Sequence, residues 1–521
     1  MKRLLFLSSL TAHLLTHTVE KSAPHQLVEK KELSGMSAEK RQELFFQAVK
    51  NNNLQQVQEL LPTINVNATS YNTTALQIAC QTNHVEIVKL LLADKRIDVN
   101  AKNRQGNTAL LDIGYRSRHD SNAIEIIKLL VADKRINVNA KSYNNCTALI
   151  YACLTKNTKM VRILLADNRV DINAKNNNGD TALEIACNDN DVEIVKLLLA
   201  DKRTNLTTAL ILNTALTSAC WNGHIEIVKL LLKETRIDVN AQGNTGRTAL
   251  TAACEGNQIE IVKLLLADTQ IDINTTDNKG HIALIIACYY NHIEIVTLLL
   301  ADKRIDVNAK NNKGKTALME ACRNLHSAKN LYKETLTLLL ADSRVDINAK
   351  DDEGNTAFLL ACVEGYTGII KLILADERVD VNAKNNEGNT AFLLTSSYSA
   401  IIMLLADNRI EVNAKNNEGD TAFLLACKYK NLEIVKLLLQ DNTVAVNVTN
   451  HQGETALIQA CSYYFPKKVE LLLADKRIDI NAKDNQGNTA LLKALKYGYT
   501  EIVKLLLADE RVDVNRGSTQ I

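Results

Sequence analysis

Short apolar segments of two kinds alternate along most of this chain, with polar turns between them. The stretch TALQIACQTNHVEIVKLLLADKRIDVNAKNRQGN, residues 74–107, contains one of each. Thr74 can cap a short first helix, in which Leu76 is apolar and Ala79 is small enough for close helix contact. The second segment, from Glu86 to Ala93, carries the broad apolar stripe of an amphipathic helix. The pattern therefore predicts two short helices joined by a polar turn.

An extended arm follows the second helix. Apolar and polar residues alternate through Ile97-Asp98-Val99-Asn100, and Gln105-Gly106 supplies a turn. Two short helices and an arm cannot bury their apolar faces alone, but stacked copies of the unit can. We therefore expect each unit to pack on its neighbours in the chain.

The unit recurs along almost the whole sequence, and most copies begin 34 residues after the previous one, as Thr147 and Thr181 do. A degenerate start is found at Ile282-Ala283-Leu284. Self-similarity at a fixed period of this length indicates a stacked repeat array. Further Thr-Ala-Leu or Thr-Ala-Phe starts lie at Thr108, Thr214, Thr248, Thr316, Thr356, Thr390, Thr421, Thr455 and Thr489.

These segments resemble the ankyrin repeat. The first helix begins Thr-Ala-Leu where the family usually has Thr-Pro-Leu-His, and Asp94-Lys95-Arg96 replaces the glycine that often ends the second helix. The alanine that stands in place of proline keeps the helix propensity of the first helix. Without the glycine, the turn from the second helix into the arm is less well specified. The resemblance implies an all-α solenoid of helix-turn-helix units joined by β-turn arms, with about fourteen repeats. The matching positions are Thr74-Ala75-Leu76, Ala79, Glu86 to Leu92, and Asp98 to Ala101.

The ends of the chain depart from the repeat. Residues 1–36 form a leader in which Lys2-Arg3 precedes a short apolar run, as in a secretory signal, although no small-x-small cleavage site follows. The alternative is an amphipathic leader that is not cleaved. Residues 37–73 are predicted to be a divergent capping repeat, residues 74–515 thirteen further repeats, and residues 516–521 a short tail.

Four units break the regular spacing. Extra residues lie near 115–120 and 324–333, the link between helices is shortened around 396–400, and the arm from 202 to 213 has lost its usual Asp-Val-Asn and turn glycine. Insertions between helices map to one face of a repeat array, often the binding face. Tolerated variation in loop length is the alternative explanation.

Composition narrows the class of function. The formal net charge of the 521 residues is +2 and aromatic residues make up 4%, so the overall charge favours neither nucleic acid nor an anionic membrane. No segment is apolar for long enough to span a membrane. A phosphate-binding loop, a nucleophile elbow and a kinase signature are absent from the sequence. We therefore predict no enzyme, no catalytic or metal-binding residue and no cofactor.

Eleven cysteines suggest disulfides or metal at first sight, but ten of them occupy one position of the repeat. Equivalent positions in stacked helices lie about 8–10 Å apart, whereas a disulfide needs Cα atoms within about 7 Å. These ten are predicted to be free, buried thiols, which suits a reducing compartment. Cys146 lies in an arm and is predicted to be exposed. The ten are Cys80, Cys153, Cys187, Cys220, Cys254, Cys288, Cys322, Cys362, Cys427 and Cys461.

The resemblance implies that partners bind a concave face built from arm tips and the residues that follow the first helix. His84, His224 and His292 precede the second helix and, by the same resemblance, tie the turn between helices. Exposed tyrosine and tryptophan are enriched at interface hot spots, although these side chains could instead only shield the turn. Glu353, Glu364, Glu387 and Glu418 follow units that carry Lys313, Lys315 and Arg323, which suggests a charge gradient along the groove. The predicted partner-binding residues are Trp221, Tyr289, Tyr290, Tyr398, Tyr429, Tyr463 and Tyr497.

The sequence thus predicts a monomeric, non-enzymatic scaffold that binds a protein partner. In the similarity of its repeats and in its leader, the chain resembles ankyrin proteins that bacteria deliver into host cells. Such a protein would work in the reducing cytosol of the host. A cytoplasmic adaptor and a structural spacer without a specific partner are the alternatives.

Overall fold

The computed structural model describes residues 36–116, 120–205, 209–323, 332–429 and 431–515. All of the predicted leader but Met36, and the whole of the tail, lie outside the described residues, as do parts of the two insertions near 115–120 and 324–333. The chain divides into two compact units, with the boundary between Asp180 and Thr181. We call the N-terminal part unit 1 and the C-terminal part unit 2.

Unit 1 contains four successive helix pairs in its described part. A short 3-10 turn, Leu61–Thr63, and an antiparallel ribbon that pairs Thr69–Ser70 with Thr73–Thr74 connect the first pair to the second. The pairs are Ala38–Lys50 with Leu54–Leu60, Ala75–Gln81 with Val85–Ala93, Ala109–Arg116 with Ser121–Ala132, and Ala148–Leu154 with Thr158–Leu165.

The described part of unit 2 continues the same pattern with ten pairs, and a 3-10 turn lies at Lys202–Asn205. The prediction of an all-α repeat array is confirmed. The pairs are Ala182–Asn188 with Val192–Ala200, Ala209–Asn222 with Ile225–Leu231, Ala249–Glu255 with Ile259–Leu266, Ala283–Tyr289 with Ile293–Ala301, Ala317–Arg323 with Tyr332–Ala341, Ala357–Glu364 with Thr367–Leu374, Ala391–Leu394 with Tyr398–Leu405, Ala422–Tyr429 with Leu432–Gln440, Ala456–Ser462 with Pro466–Ala474, and Ala490–Lys496 with Thr500–Leu507.

The threonine of the repeat caps the first helix, as predicted. The Thr74 hydroxyl accepts a hydrogen bond from the Gln77 backbone N–H at 3.3 Å, and the Gln77 side chain accepts one from the Thr74 N–H at 2.8 Å. This reciprocal arrangement satisfies two backbone donors that the helix itself leaves without partners. In each pair, the two helices direct apolar side chains toward one another and toward the neighbouring pairs. Side chains such as those of Leu76, Ile87 and Leu91 form the buried core in this way.

One predicted helix start is wrong. Thr214 lies inside a 14-residue helix that begins at Ala209 and ends at Asn222. The sequence has an earlier Thr-Ala-Leu at residues 208–210, and the residues between the two copies, Ile211-Leu212-Asn213, contain no glycine that would form a turn. A segment of this composition continues as helix, so here additional helix replaces part of the usual arm.

The arms turn where the sequence predicts. The Asn103 side chain accepts hydrogen bonds from the backbone N–H groups of Gln105 and Asn107 at 2.9 and 3.0 Å. Gly106 has a φ of +74°, a conformation that favours glycine. In most later arms, an asparagine or aspartate at the position equivalent to Asn103 makes the same turn, for example Asp351 and Asn385.

The Asp-x-Arg segment specifies the turn into the arm in place of the missing glycine. The Arg378 guanidinium binds the carboxylate of Asp376 at 2.6 Å and donates to the Leu340 carbonyl of the preceding repeat, also at 2.6 Å. It thereby satisfies a free carbonyl at the end of the previous second helix, a group that a glycine-based cap would otherwise serve. The same contact is made by Arg96, Arg135, Arg169, Arg304, Arg344, Arg409, Arg477 and Arg511.

A second tie between repeats is made by the asparagine of the Ile-Asp-Val-Asn segment. The Asn348 side-chain amide donates to the Arg378 carbonyl and its oxygen accepts from the Asp380 N–H, both at 2.8 Å. Each such asparagine therefore joins its own arm to the next, and we call the series the asparagine ladder. Its other members with both contacts are Asn67, Asn100, Asn139, Asn240, Asn274, Asn308, Asn382, Asn413, Asn447 and Asn481.

All eleven cysteines are free and buried. This confirms the prediction for the ten in the first helices, and burial raises the pKa of the Cys322 thiol to about 12. The prediction that Cys146 is exposed is wrong, because its side chain is only 6% exposed. Cys146 directly precedes a helix-capping threonine, a position that is also buried at Asn107 and Asp420, where the arm packs against the first helix.

Candidate interaction surface

The predicted aromatic residues are exposed, and most lie where the first helices end. Tyr289 and Tyr429 are the last residues of their helices, Tyr463 and Tyr497 cap theirs, and Trp221 is the next-to-last residue of its helix. Tyr290 directly follows Tyr289. The exposed fractions of the seven predicted side chains run from 41% for Tyr289 to 68% for Tyr429.

Tyr398 lies elsewhere. It is the first residue of a second helix, Tyr398–Leu405, so it does not share the position of the other six. The reason is the shortened unit, in which the first helix, Ala391–Leu394, has only four residues. After this early end, the chain needs three residues to reach the next helix, and Tyr398 begins it.

In unit 2, a groove of about 600 Å³ lies between three successive arms and the first helices behind them. Tyr289 and Tyr290 form part of its wall. The wall also contains polar and charged side chains, which come from both the arms and the helices. They are Arg247, Glu255, Asp277, Lys279, His281, Asn311, Lys313 and Glu320.

The tyrosine pair is held in place by contacts with the preceding repeat. The two rings meet edge to face with centroids 5.0 Å apart, and the Tyr290 ring stacks on His292 at 5.8 Å. The Tyr290 hydroxyl donates to Glu255 at 3.3 Å, and Arg247 forms an ion pair with the same carboxylate. Partial burial and the nearby Glu255 carboxylate raise the pKa of Tyr290, so the phenol is neutral and remains a donor.

The polar wall of the groove is also organised by local pairs. His281 Nδ1 lies 3.1 Å from the Asp277 carboxylate, and Asn311 donates to Glu320 at 3.2 Å. These pairs satisfy the inner polar groups, while Tyr289 presents an exposed aromatic surface at the opening. Such a combination of rigid aromatic and oriented polar groups is typical of protein-binding surfaces.

A second aromatic cluster lies further along unit 2. The Tyr429 and Tyr463 ring centroids are 6.4 Å apart, and the Lys428 ammonium lies 4.8 and 5.6 Å from them. A hollow of about 360 Å³ adjoins Tyr429 and is lined by Leu393, Leu394, Leu425 and Ile434 among others. Because the neighbouring first helix is four residues long, the repeat leaves this space unfilled.

The remaining aromatic residues form separate groups. The Tyr499 ring lies 5.6 Å from that of Tyr497 and 4.9 Å from that of Tyr464, whose hydroxyl donates to Glu501 at 3.0 Å. No aromatic ring among the described residues packs on Trp221. The predicted residues are thus brought together as two pairs, Tyr289 with Tyr290 and Tyr429 with Tyr463, rather than as one patch.

Sequence reasoning missed the charged partners of these pairs. Arg247 and His281 occupy the position after the turn glycine in their arms, and Glu255 follows the repeated cysteine. A comparison of the repeats position by position would have found them, because the same column holds Asn107 or Asn355 in other arms. Tyr499 was missed because it precedes the second helix, where other repeats have histidine.

The three histidines have a structural role. His84 Nδ1 bonds the Val49 carbonyl at 2.9 Å, and His224 Nδ1 bonds the Cys187 carbonyl at 2.7 Å. His292 is half-buried, and this burial lowers its pKa. Each ring thus lies in the turn between helices, and for the first two it reaches back to the preceding repeat.

In the described part of the chain, no three His, Cys, Asp or Glu side chains are grouped as metal ligands would be. No helix in the same part is both long and apolar enough to cross a membrane.

The comparison with protein-family models agrees with this architecture. A search of the curated proteins found no match. Among solved structures, the ankyrin repeat domain of Bcl-3, described as a unique member of the IkappaB protein family, is 24% identical, with a TM-score of 0.38, over 43% of this chain and 96% of that one. The family model "Ankyrin repeats (3 copies)" matches overlapping segments from residue 23 to residue 518, namely 23–103, 45–142, 117–209, 203–277, 269–351, 325–416, 359–450, 396–484 and 423–518. Because these matches cover nearly the whole sequence, the chain belongs to the ankyrin repeat family.

Proposed function

We propose that this protein is a non-enzymatic scaffold that binds a protein partner along the arm-facing side of unit 2. Ankyrin repeats are generally protein–protein interaction modules, and the family is typically non-enzymatic. The observation that carries the proposal is the Tyr289–Tyr290 pair, exposed at the mouth of a groove of about 600 Å³. A partner side chain inserted there would contact aromatic and polar groups together.

The pair is suited to binding because it is already ordered. Tyr290 is fixed by Glu255 and His292, so little side-chain entropy is lost when a partner binds. The Tyr429–Tyr463 pair, with the hollow of about 360 Å³ beside it, offers a second anchor. Trp221 and Tyr497 would lie at the periphery of such a site.

The test is affinity capture from a cell lysate with the full chain, followed by binding measurements on the captured protein. The variant Tyr289→Ala/Tyr290→Ala removes the pair. Tyr398→Ala is the matched control, since Tyr398 has similar exposure but lies on a second helix. Loss of a hot-spot aromatic costs about 2 kcal/mol or more, which corresponds to binding weaker by at least about 30-fold.

We expect the double variant to lose the partner while Tyr398→Ala retains it, with both folded by circular dichroism. Equal loss in both variants would contradict the assignment of the groove. The absence of any saturable partner would instead favour the structural spacer, which requires no binding site.

A further inference from the structure

The residue that precedes the turn glycine changes charge in an ordered way along unit 2. Two successive arms carry lysine at this position, and the next three carry glutamate, with uncharged residues before and after them. We call these five residues the tip row. They are Lys279, Lys313, Glu353, Glu387 and Glu418, and the flanking residues are Thr245, Gln452 and Gln486.

Backbone hydrogen bonds between neighbouring arms fix the order of the tip row in space. The Asn312 N–H donates to the Lys279 carbonyl at 3.0 Å, and the Asn386 N–H donates to the Glu353 carbonyl, also at 3.0 Å. Lys313, Glu387 and Glu418 accept equivalent bonds from the arm that follows each of them. The five side chains therefore project from adjacent tips in the order of the sequence.

The position after the turn glycine divides in the same way. Arg247, His281 and Lys315 occupy it in the arms on the lysine side, and Asp420 and Glu454 occupy it in the arms on the glutamate side. Asn355 and Asn389 lie between them. Two independent positions of the arm thus share one polarity along the array, basic first and acidic afterwards.

The charges of the tip row are available to a partner. All five side chains are exposed, and the Lys279 and Lys313 ammonium groups form no hydrogen bond or ion pair within the described residues. The glutamates make only local contacts, such as the bond that Glu387 accepts from Asn389 at 2.8 Å. By contrast, the Arg247 charge inside the groove is neutralised by Glu255.

We propose that the partner segment bound by unit 2 is bipolar, with a block of acidic residues that lies along Lys279 and Lys313 and a block of basic residues that lies along Glu353, Glu387 and Glu418. This inference rests on the function proposed above and specifies its partner. With repeats about 10 Å apart, five tips span about 40 Å. An extended segment of about 12 residues covers that length.

The bipolar row fixes the direction in which the segment lies. A single exposed ion pair contributes little affinity, but several in a row add together, exclude wrong partners and speed association. Tyr289 and Tyr290 lie behind the basic half of the row, so the acidic block of the segment is the part that reaches the groove. The effect of the row is strong at low ionic strength and is screened as salt increases.

The experiment uses two synthetic peptides of identical composition and about 15 residues. In the first, a run of glutamates is followed by a leucine–tyrosine centre and a run of lysines; in the second, glutamates and lysines alternate around the same centre. Binding to the full chain is measured by fluorescence anisotropy. We expect the block peptide to bind about tenfold more tightly at about 0.05 M salt, and less than about threefold more tightly at about 0.5 M.

Three variants test whether the tip row causes this preference. K279E/K313E makes the row uniformly acidic and should abolish the preference. K279E/K313E/E353K/E387K/E418K inverts the row but keeps it bipolar, so the peptide can bind in the reverse direction and the preference should return. K303E/K476E is the matched control, because these exposed lysines lie in the turns after second helices, and it should leave the preference unchanged.

Equal binding of the two peptides to the parent chain would overturn the inference, as would an equal effect of K303E/K476E. Sedimentation velocity at the same protein concentrations tests the alternative that a second copy of this chain occupies the tip row. Self-association that K279E/K313E abolishes would mean that a second copy of this chain covers the row, and would also overturn the inference. None of these three results would affect the test of Tyr289 and Tyr290 with a captured partner, so the two proposals fail separately.

Discussion

The asparagine ladder predicts that a single half-buried side chain controls the stability of a contact between repeats. Asn348 joins two arms, because its amide donates to the Arg378 carbonyl and its oxygen accepts from the Asp380 N–H, both at 2.8 Å. Asn348→Ala removes both bonds and leaves the backbone and the helices unchanged. The stacked helices should therefore remain folded, while the arms lose their connection.

The magnitude follows from the two bonds. A hydrogen bond contributes about 0.5–1.5 kcal/mol to stability, and water partly replaces the lost partners at this half-buried site. We therefore expect a local destabilisation of about 1–2 kcal/mol. Such a change corresponds to an increase of about 5–30-fold in the population of the locally opened state.

Native-state hydrogen exchange is the suitable assay, because a repeat array can open locally without global unfolding. The Asp380 amide should exchange about 5–30-fold faster in Asn348→Ala than in the parent chain. Amides of the ladder several repeats away, such as that of Asp479, should exchange at the parental rate. Asn408→Ala is the matched control, since Asn408 is exposed in an adjacent turn and its side chain forms no hydrogen bond among the described residues.

Two results would refute the reasoning. If the Asp380 amide exchanged at the parental rate in Asn348→Ala, the ladder would hold the arms no better than water does. If Asn408→Ala accelerated exchange equally, the effect would come from asparagine content in general and not from the two bonds.

Further predictions concern the core, the turns and the thiols. Lys468→Ala should lower the free energy of unfolding by about 2–4 kcal/mol in urea titrations, because Lys468 is buried and donates to the Ala426 and Cys427 carbonyls at 3.2 and 2.9 Å, whereas exposed Lys467→Ala should change it by less than about 0.5 kcal/mol. Gly354→Ala should destabilise by about 1 kcal/mol or more, because the φ of Gly354 is +79° and the added carbon would meet the Asn386 nitrogen at 2.7 Å; Gly368→Ala, in a helix with open space around it, should stabilise by about 0.5–1 kcal/mol. All eleven cysteines should resist Ellman's reagent in the native state and react on unfolding, and a fast-reacting thiol would contradict their burial. Hydrogen bonds from arginine lower the pKa of the turn aspartates. The stability that these pairs contribute is therefore present above the unfolded pKa of about 3.9 and is lost as the pH falls through the lower folded values. The urea concentration at the unfolding midpoint should decrease below about pH 4, and a constant midpoint there would refute the contribution of these pairs.

The sequence determined the features that repeat. The period of the apolar segments predicts the helix pairs, the capping threonines predict where most first helices begin, and the constant position of ten cysteines predicts free, buried thiols. It also predicts that the aromatic residues after the first helices are exposed. Each of these conclusions depends on contacts within one unit or on a position that every unit shares, so periodicity alone is sufficient.

The tertiary structure decided the features that depend on which residues meet across neighbouring repeats. The Arg378 guanidinium reaches a carbonyl 38 positions earlier, and Glu255 joins Tyr290 from 35 positions away. Local pattern also failed where one unit departs from the rest, as in the helix that runs through Thr214 and in the shortened unit that places Tyr398 on a second helix. Cys146 is buried because the arm packs on the helix that follows it, a contact that composition does not reveal. Stacking brings together residues about one repeat apart, and the sequence specifies the period of that stacking but not the side-chain contacts that it creates.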